Sequence, residues 1–246
     1  MVGTRILVVN VNTTAAMTDT IAAQARAVAR PGTEIVGLTP SFGPESVEGN
    51  FESYLSAVAV MDRVHTYEGQ YDAVVQAGFG EHGREGLQEL CDVPVVDITE
   101  AAAHVACLLG RKYTVVTTLS RAVGQIEDRL MLAGLHTRCA SVRASGLSVL
   151  DLEADPEAAV KAIAEQARLA VEQDGAEVVC LGCGGMAGLD DEIRAVTGAP
   201  VVDGVAAAVG LAESLVGLGL TTSKIGSYAA PRPKTVTGWP VSGSLR

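Results

Sequence analysis

The feature that most constrains this chain is a pattern written twice. "VPVVDITEAAAHVA" at 93–106 is answered by "APVVDGVAAAVGLA" at 199–212, and "RILVVNVN" at 5–12 by "KYTVVTTL" at 112–119. "VVQAGFGEHGREGL" at 74–87 shares a plan with "VVCLGCGGMAGL" at 178–189: an apolar run that breaks into glycines and leads toward a helix. The three pairs, the last measured from Gly78 to Cys183, are offset by 105–107 residues and occur in one order. Self-similarity at a nearly constant spacing marks a duplicated structural unit.

The unit itself is legible from hydrophobic periodicity. Apolar, β-branched runs predict strands at Ile6–Val11, Glu34–Leu38, Ala73–Ala77, Val93–Val96, Tyr113–Thr117, Thr137–Val142, Val178–Leu181 and Pro200–Val202. Amphipathic stretches between them predict helices, among them Met17–Ala29, Ala101–Leu109, Arg121–Ala133, Pro156–Gln173 and Val205–Val216. Apolar strands alternating with helices imply an α/β fold with parallel sheets covered on both faces. The expected division is 1–98 plus 205–246 for one half and 99–204 for the other. Open α/β sheets bind ligands at the carboxyl ends of their strands, so the two glycine loops are expected to face each other across one cleft. The Pro-, Gly- and Ser-rich stretch at 231–246 reads as a loosely packed tail.

Composition narrows the partners. A net charge of −11 argues against nucleic acid or an anionic membrane surface, leaving a small molecule. No apolar run approaches the roughly 20 residues that span a bilayer. The start runs directly into a strand-like segment without a signal-peptide pattern, and the five cysteines then read as free thiols in a reducing cytoplasm.

Several residues carry possible chemistry. Cys183 follows a strand and precedes Gly184, Gly185 and a helical stretch, where backbone N–H groups would shift its thiol toward thiolate; the alternative is a small residue at a tight turn. Cys180 completes a Cys-x-x-Cys, but with no second pair or nearby His a zinc or redox site is disfavoured and core packing is expected. Cys91, Cys107 and Cys139 also read as structural. Asn12, Thr13 and Thr14 at the first strand end would grip a polar oxygen or cap the next helix, and Thr118 stands at the equivalent place in the second half. In the first glycine loop, Glu81 and His82 read as a candidate base or as solvated side chains. "SFGPESVEG" at 41–49, with Glu48 near its end, is placed to close over the cleft. His65, His104 and His136 read as structural.

Taken together, "RILVVNVNTTAAMTD", "VEGNFE", "FGEHGREGLQEL", "VPVVDITEAAAH", "VVCLGCGGMAGL" and "GLTTSKIGSY" resemble the hydantoin and allantoin racemases of the aspartate/glutamate racemase superfamily. The resemblance implies two pseudo-symmetric Rossmann-like halves, no cofactor or metal, and a homo-oligomer. It also implies two cysteines on opposite faces of the substrate, one removing the acidic proton beside a carbonyl and the other returning one. The second falls on Cys183, with Asn12, Thr13, Thr14 and Thr118 as the polar grip and Phe79, Gly184 and Gly185 beside it. The first falls on Gly78, and the family's Asp-Pro after "FG" is here Glu81-His82. Glycine moves no proton. Three explanations are open: His82 or Glu81 serves the vacant face, Cys183 works alone, or residue 78 is a knock-out. The reactions expected are therefore racemisation of a cyclic ureide or amino-acid-like carbon acid, or a one-cysteine decarboxylation resembling that of arylmalonate decarboxylases. The non-enzymatic alternative is a ligand-binding relative without turnover.

Overall fold

The computed structural model describes residues 3–236; of the predicted tail, residues 237–246 lie outside the described part. The first half runs β1 (Arg5–Val9), α1 (Ala15–Val28), β2 (Glu34–Leu38), α2 (Asn50–His65), β3 (Ala73–Gln76), α3 (Arg84–Leu90) and β4 (Val95–Asp97). After α4 (Ile98–Leu109) the second half repeats the course. It comprises β5 (Tyr113–Thr117), α5 (Val123–Leu132), β6 (Cys139–Ala144), α6 (Asp151–Ala154), α7 (Pro156–Gln173), β7 (Val178–Leu181), α8 (Asp190–Thr197) and β8 (Val201–Asp203), and the chain continues into α9 (Gly204–Gly217). Each half builds a parallel four-stranded sheet, ordered β2-β1-β3-β4 and β6-β5-β7-β8. The connections reverse direction between β1 and β3 and between β5 and β7, and at such switch points crevices open.

The repeated "PVVD" has a physical reason. Its last residue caps a helix in each half. The Asp97 carboxylate accepts the Thr99 and Glu100 N–H groups at 2.8 and 2.9 Å, and Asp203 accepts those of Val205 and Ala206 at 2.7 and 3.2 Å. The two helices so started, α4 and α9, pack against each other, and α9 also packs on α1 and β3. Runs of alanine in α4 (Ala101, Ala102, Ala103, Ala106) are buried in a core shared by Ile6, Val8 and Ile21 of one half and Val115, Val178 and Cys180 of the other.

Some boundaries differ from the sequence expectation. β1 ends at Val9, two residues early, because the Asn10 side chain takes the Val11 N–H at 2.7 Å and turns the chain out of the sheet. β6 starts at Cys139 because His136–Arg138 forms a 3₁₀ turn. β4 starts at Val95, two residues later than expected, and ends at the capping Asp97. No helix among the described residues is long and apolar enough to cross a membrane.

Candidate active site

The loop after β3 and the loop after β7 meet. A Cβ on Gly184 would lie 2.7 Å from the Ala77 carbonyl oxygen, so only glycine permits this approach. Between the loops lies a cavity lined from the first half by Asn10, Val11, Asn12, Met17, Ile21, Val47, Ala77, Gly78, Phe79 and His82. The second half supplies Thr117, Thr118, Ala122, Gln125, Val149, Gly182, Cys183, Gly184 and Gly185. Its open volume is about 40 Å³, space for roughly three waters.

Cys183 is half-buried and has an extended backbone, with φ of −156°. The sequence predicted a thiol shifted toward thiolate; the structure reverses the direction. The chain after Cys183 forms a three-residue 3₁₀ turn, Gly184–Met186, rather than a helix long enough to sum peptide dipoles. Burial dominates and pushes the thiol up to about 11, helped by the negative charge of Glu48 and opposed by the Gly185 N–H that the sulfur accepts. Cys183 is thus a protonated acid at neutral pH.

On the facing loop the ring of His82 occupies the space beside Gly78. A Cβ on residue 78 would fall 2.4 Å from His82 Cδ2 and 2.4 Å from Val11 Cγ1. His82 is only 3% exposed, which overturns the expectation of a solvated side chain. Burial lowers its pKa to about 4, so the ring is neutral at neutral pH. Its Nδ1 lies 3.0 Å from Ser53 Oγ and its Nε2 3.3 Å from the Phe79 carbonyl.

Glu81 turns the other way. Its carboxylate accepts the Gly83 N–H at 2.7 Å and pairs with Arg129 at 2.8 Å. Arg129, 2% exposed on α5, also binds Glu85, Asp97 and Glu100. Glu81 therefore anchors the loop to the other half and does not line the cavity; desolvation raises its pKa, and the Gly83 N–H works against that shift. With Glu81 turned away, the wall presented by "AGFGEHG" is Ala77, Gly78, Phe79 and a neutral imidazole.

The polar grip divides similarly. Asn12 and Thr118, 2% and 3% exposed, line the cavity. Asn12 Oδ1 accepts from Asn10 Nδ2 at 2.8 Å and from the Thr14 N–H at 3.0 Å, leaving its amide NH₂ toward the Met17 sulfur. Thr13 and Thr14 neither line the cavity nor cap α1 with their side chains. They hold the 41–49 loop instead: Thr13 donates its N–H to the Pro44 carbonyl at 3.0 Å and Thr14 its hydroxyl to that of Glu45 at 2.8 Å. Across the cleft, Glu48 accepts the Val149 N–H at 3.1 Å, and Val47 enters the lining. The loop thus bridges both halves, with Glu48 as its latch.

Sequence reasoning missed Ser53, Gln125 and Arg129. A signal was available for two of them: Ser53 falls on the buried face of α2 with Val60 and Val64, and Arg129 on that of α5 with Ile126 and Leu130. A polar residue on an apolar stripe has a partner to find. Cys180 is fully buried, and no group of three His, Cys, Asp or Glu residues among the described ones is arranged to hold a metal.

The fold is that of a racemase-type α/β enzyme, and a thiol and an imidazole line its central cleft. Residues 6–212 match the model of the Asp/Glu/Hydantoin racemase family, and the chain belongs to that family. It is 39% identical over 235 residues to a hydantoin racemase of Pseudomonas sp. (strain NS671), covering 95% of this chain and 94% of that one. Its fold superimposes on an allantoin racemase from Pseudomonas fluorescens with a TM-score of 0.94 at 73% identity, covering 95% and 100% of the chains. With an allantoin racemase from Klebsiella pneumoniae the TM-score is 0.93 at 42% identity, with 96% and 97% covered.

Proposed function

We propose that the protein is a cofactor-independent racemase of a 5-substituted cyclic ureide, hydantoin or allantoin in type, with His82 and Cys183 as its two acid/base groups. The observation that carries this is the His82 ring edge filling the position a side chain on residue 78 would take, on the loop facing Cys183. The protonation states are complementary. Neutral His82 accepts the proton on the substrate's acidic carbon through Nε2; the C–H electrons move into the adjacent carbonyl, giving an enolate. The Cys183 S–H then delivers its proton to the other face. Asn12 Nδ2 and the Thr118 hydroxyl are the donors available to the enolate oxygen. Product departs from an imidazolium–thiolate pair, which resets by proton exchange with solvent or by processing the opposite enantiomer. The Phe79 carbonyl and the Gly185 N–H stabilise those two charged forms.

The test is deuterium exchange at the ring carbon, run on each enantiomer of a 5-substituted hydantoin and of allantoin. Exchange with inversion in both directions is expected; no exchange from either enantiomer overturns the reading. A second reading, a one-cysteine decarboxylase, draws on the apolar lining by Val11, Val47, Ala77, Phe79 and Val149, which would destabilise a departing carboxylate. Carbon dioxide release from a disubstituted malonate, lost in Cys183→Ser, would establish it. The same proposal assigns 1–98 with 205–246 to the His82 half and 99–204 to the Cys183 half, supported by the packing of α9 on α1 and β3. A homo-oligomer fits the exposed side chains Leu108, Leu132 and Ile225.

A further inference from the structure

Gln125 reaches from the first turn of α5, in the second half, to the loop of the first half that carries His82, and its half-buried side chain lines the cavity. Its Nε2 donates to the Glu81 carbonyl at 3.4 Å, a long bond to an oxygen that the Ser53 hydroxyl also serves. That contact turns the other end of the amide away, and among the described residues Oε1 accepts no hydrogen bond. The point where a side chain on Gly80 would begin lies 3.3 Å from Oε1 and 3.4 Å from His82 Nε2, so the amide borders the imidazole. The other polar groups of the lining divide into spent and available. Asn10 uses its amide on Val11, Asn12 and Thr18, and Thr117 gives its hydroxyl to the Gly182 carbonyl. Asn12 and Thr118 stand just beyond the ends of β1 and β5, and Gln125 stands apart from them on a helix.

We infer that Gln125 is a specificity-determining residue, selecting a ring substituent that ends in a primary amide or urea over an alkyl group of the same shape. This rests on the racemase reading, in which Asn12 and Thr118 hold the ring and leave Gln125 for what the ring carries. A terminal amide or urea presents an oxygen and N–H donors side by side. Its N–H donates to Oε1, and its oxygen can accept the remaining N–H of Nε2. An alkyl group offers neither, and strips water from the Gln125 oxygen without replacing it. A site built to hydrogen-bond its substrate rejects an analogue that lacks the matching groups.

The experiment compares allantoin with 5-isobutylhydantoin, whose branched alkyl group copies the outline of the ureido group, in wild type, Gln125→Leu and Gln125→Met. Polarimetry follows racemisation and titration calorimetry follows binding. The wild type should favour allantoin. In both variants the ratio of kcat/KM for allantoin to that for isobutylhydantoin should fall by roughly 10- to 100-fold, the worth of one or two hydrogen bonds. An unchanged ratio in the folded variants, even with both rates reduced, would make Gln125 only a tether for the Glu81 loop and overturns the inference. So does a wild type that prefers isobutylhydantoin. If neither compound is racemised but allantoin binding alone weakens in the variants, recognition by Gln125 stands and it is the racemase reading that fails.

Discussion

The two glycine loops share one backbone plan and do opposite work. The loop after β7 carries a thiol at its tip, on Cys183, and Gly184 beside it lets the loop press against its counterpart at Ala77. The loop after β3 has no side chain at Gly78 and carries an imidazole four residues on, where His82 folds back into that space. The thiol is held protonated and the imidazole unprotonated by the same force, burial. Equivalent backbone positions therefore do not specify equivalent chemistry; what is preserved is that each face of the cleft has one titratable atom.

The comparison breaks most sharply at the thiol. Cys183→Ala should remove roughly 10²–10⁴-fold of the racemisation rate, since the second face would have no proton donor; steady-state polarimetry reads this directly. Next is the support of the His82 loop. Arg129→Met leaves Glu81, Glu85, Asp97 and Glu100 without the buried cation they share, and should cost about 3–5 kcal/mol in chemical denaturation.

His82 itself gives an acid-stability signature. Unfolded, it takes a proton near its ordinary pKa of 6.5, whereas the folded ring resists until about 4. Its neutral burial thus leaves stability intact above 6.5 and withdraws it as pH falls toward 4, by about 3 kcal/mol in all. Asp97 favours the ring's protonation and Arg129 opposes it. His82→Asn should flatten this part of the pH–stability curve. For the thiol the sharpening measurement is alkylation: modification of Cys183 at neutral pH should be slow and climb about tenfold per pH unit toward about 11. The smallest effect is expected at the bridge between the halves. Glu48→Gln weakens one charge-assisted bond to Val149 N–H, worth about 1 kcal/mol, and should appear as a raised KM with little change in kcat.

The doubled fold was legible because it rests on local facts: β2, β5, β7 and α7 have the predicted limits, and the offset of the glycine loops is that of β3 and β7. Cys183, Gly78, Asn12 and Thr118 were placed in one cleft for the same reason, since strand ends fix loop positions. What sequence did not convey was orientation. Nothing in "GEHG" says that Glu81 turns outward to Arg129 and His82 inward to Ser53, because both partners sit on helices remote in sequence. The protonation of Cys183 was hidden on similar grounds: its burial comes from packing against residues remote in sequence, Val149 among them.

The crowding around Gly78 has a consequence for substitution. A Cβ at residue 78 would lie 2.4 Å from both the His82 ring and Val11, so Gly78→Cys requires one of them to move. Residues 78 and 82 are therefore one steric unit, and a side chain at 78 is best accommodated by a smaller one at 82.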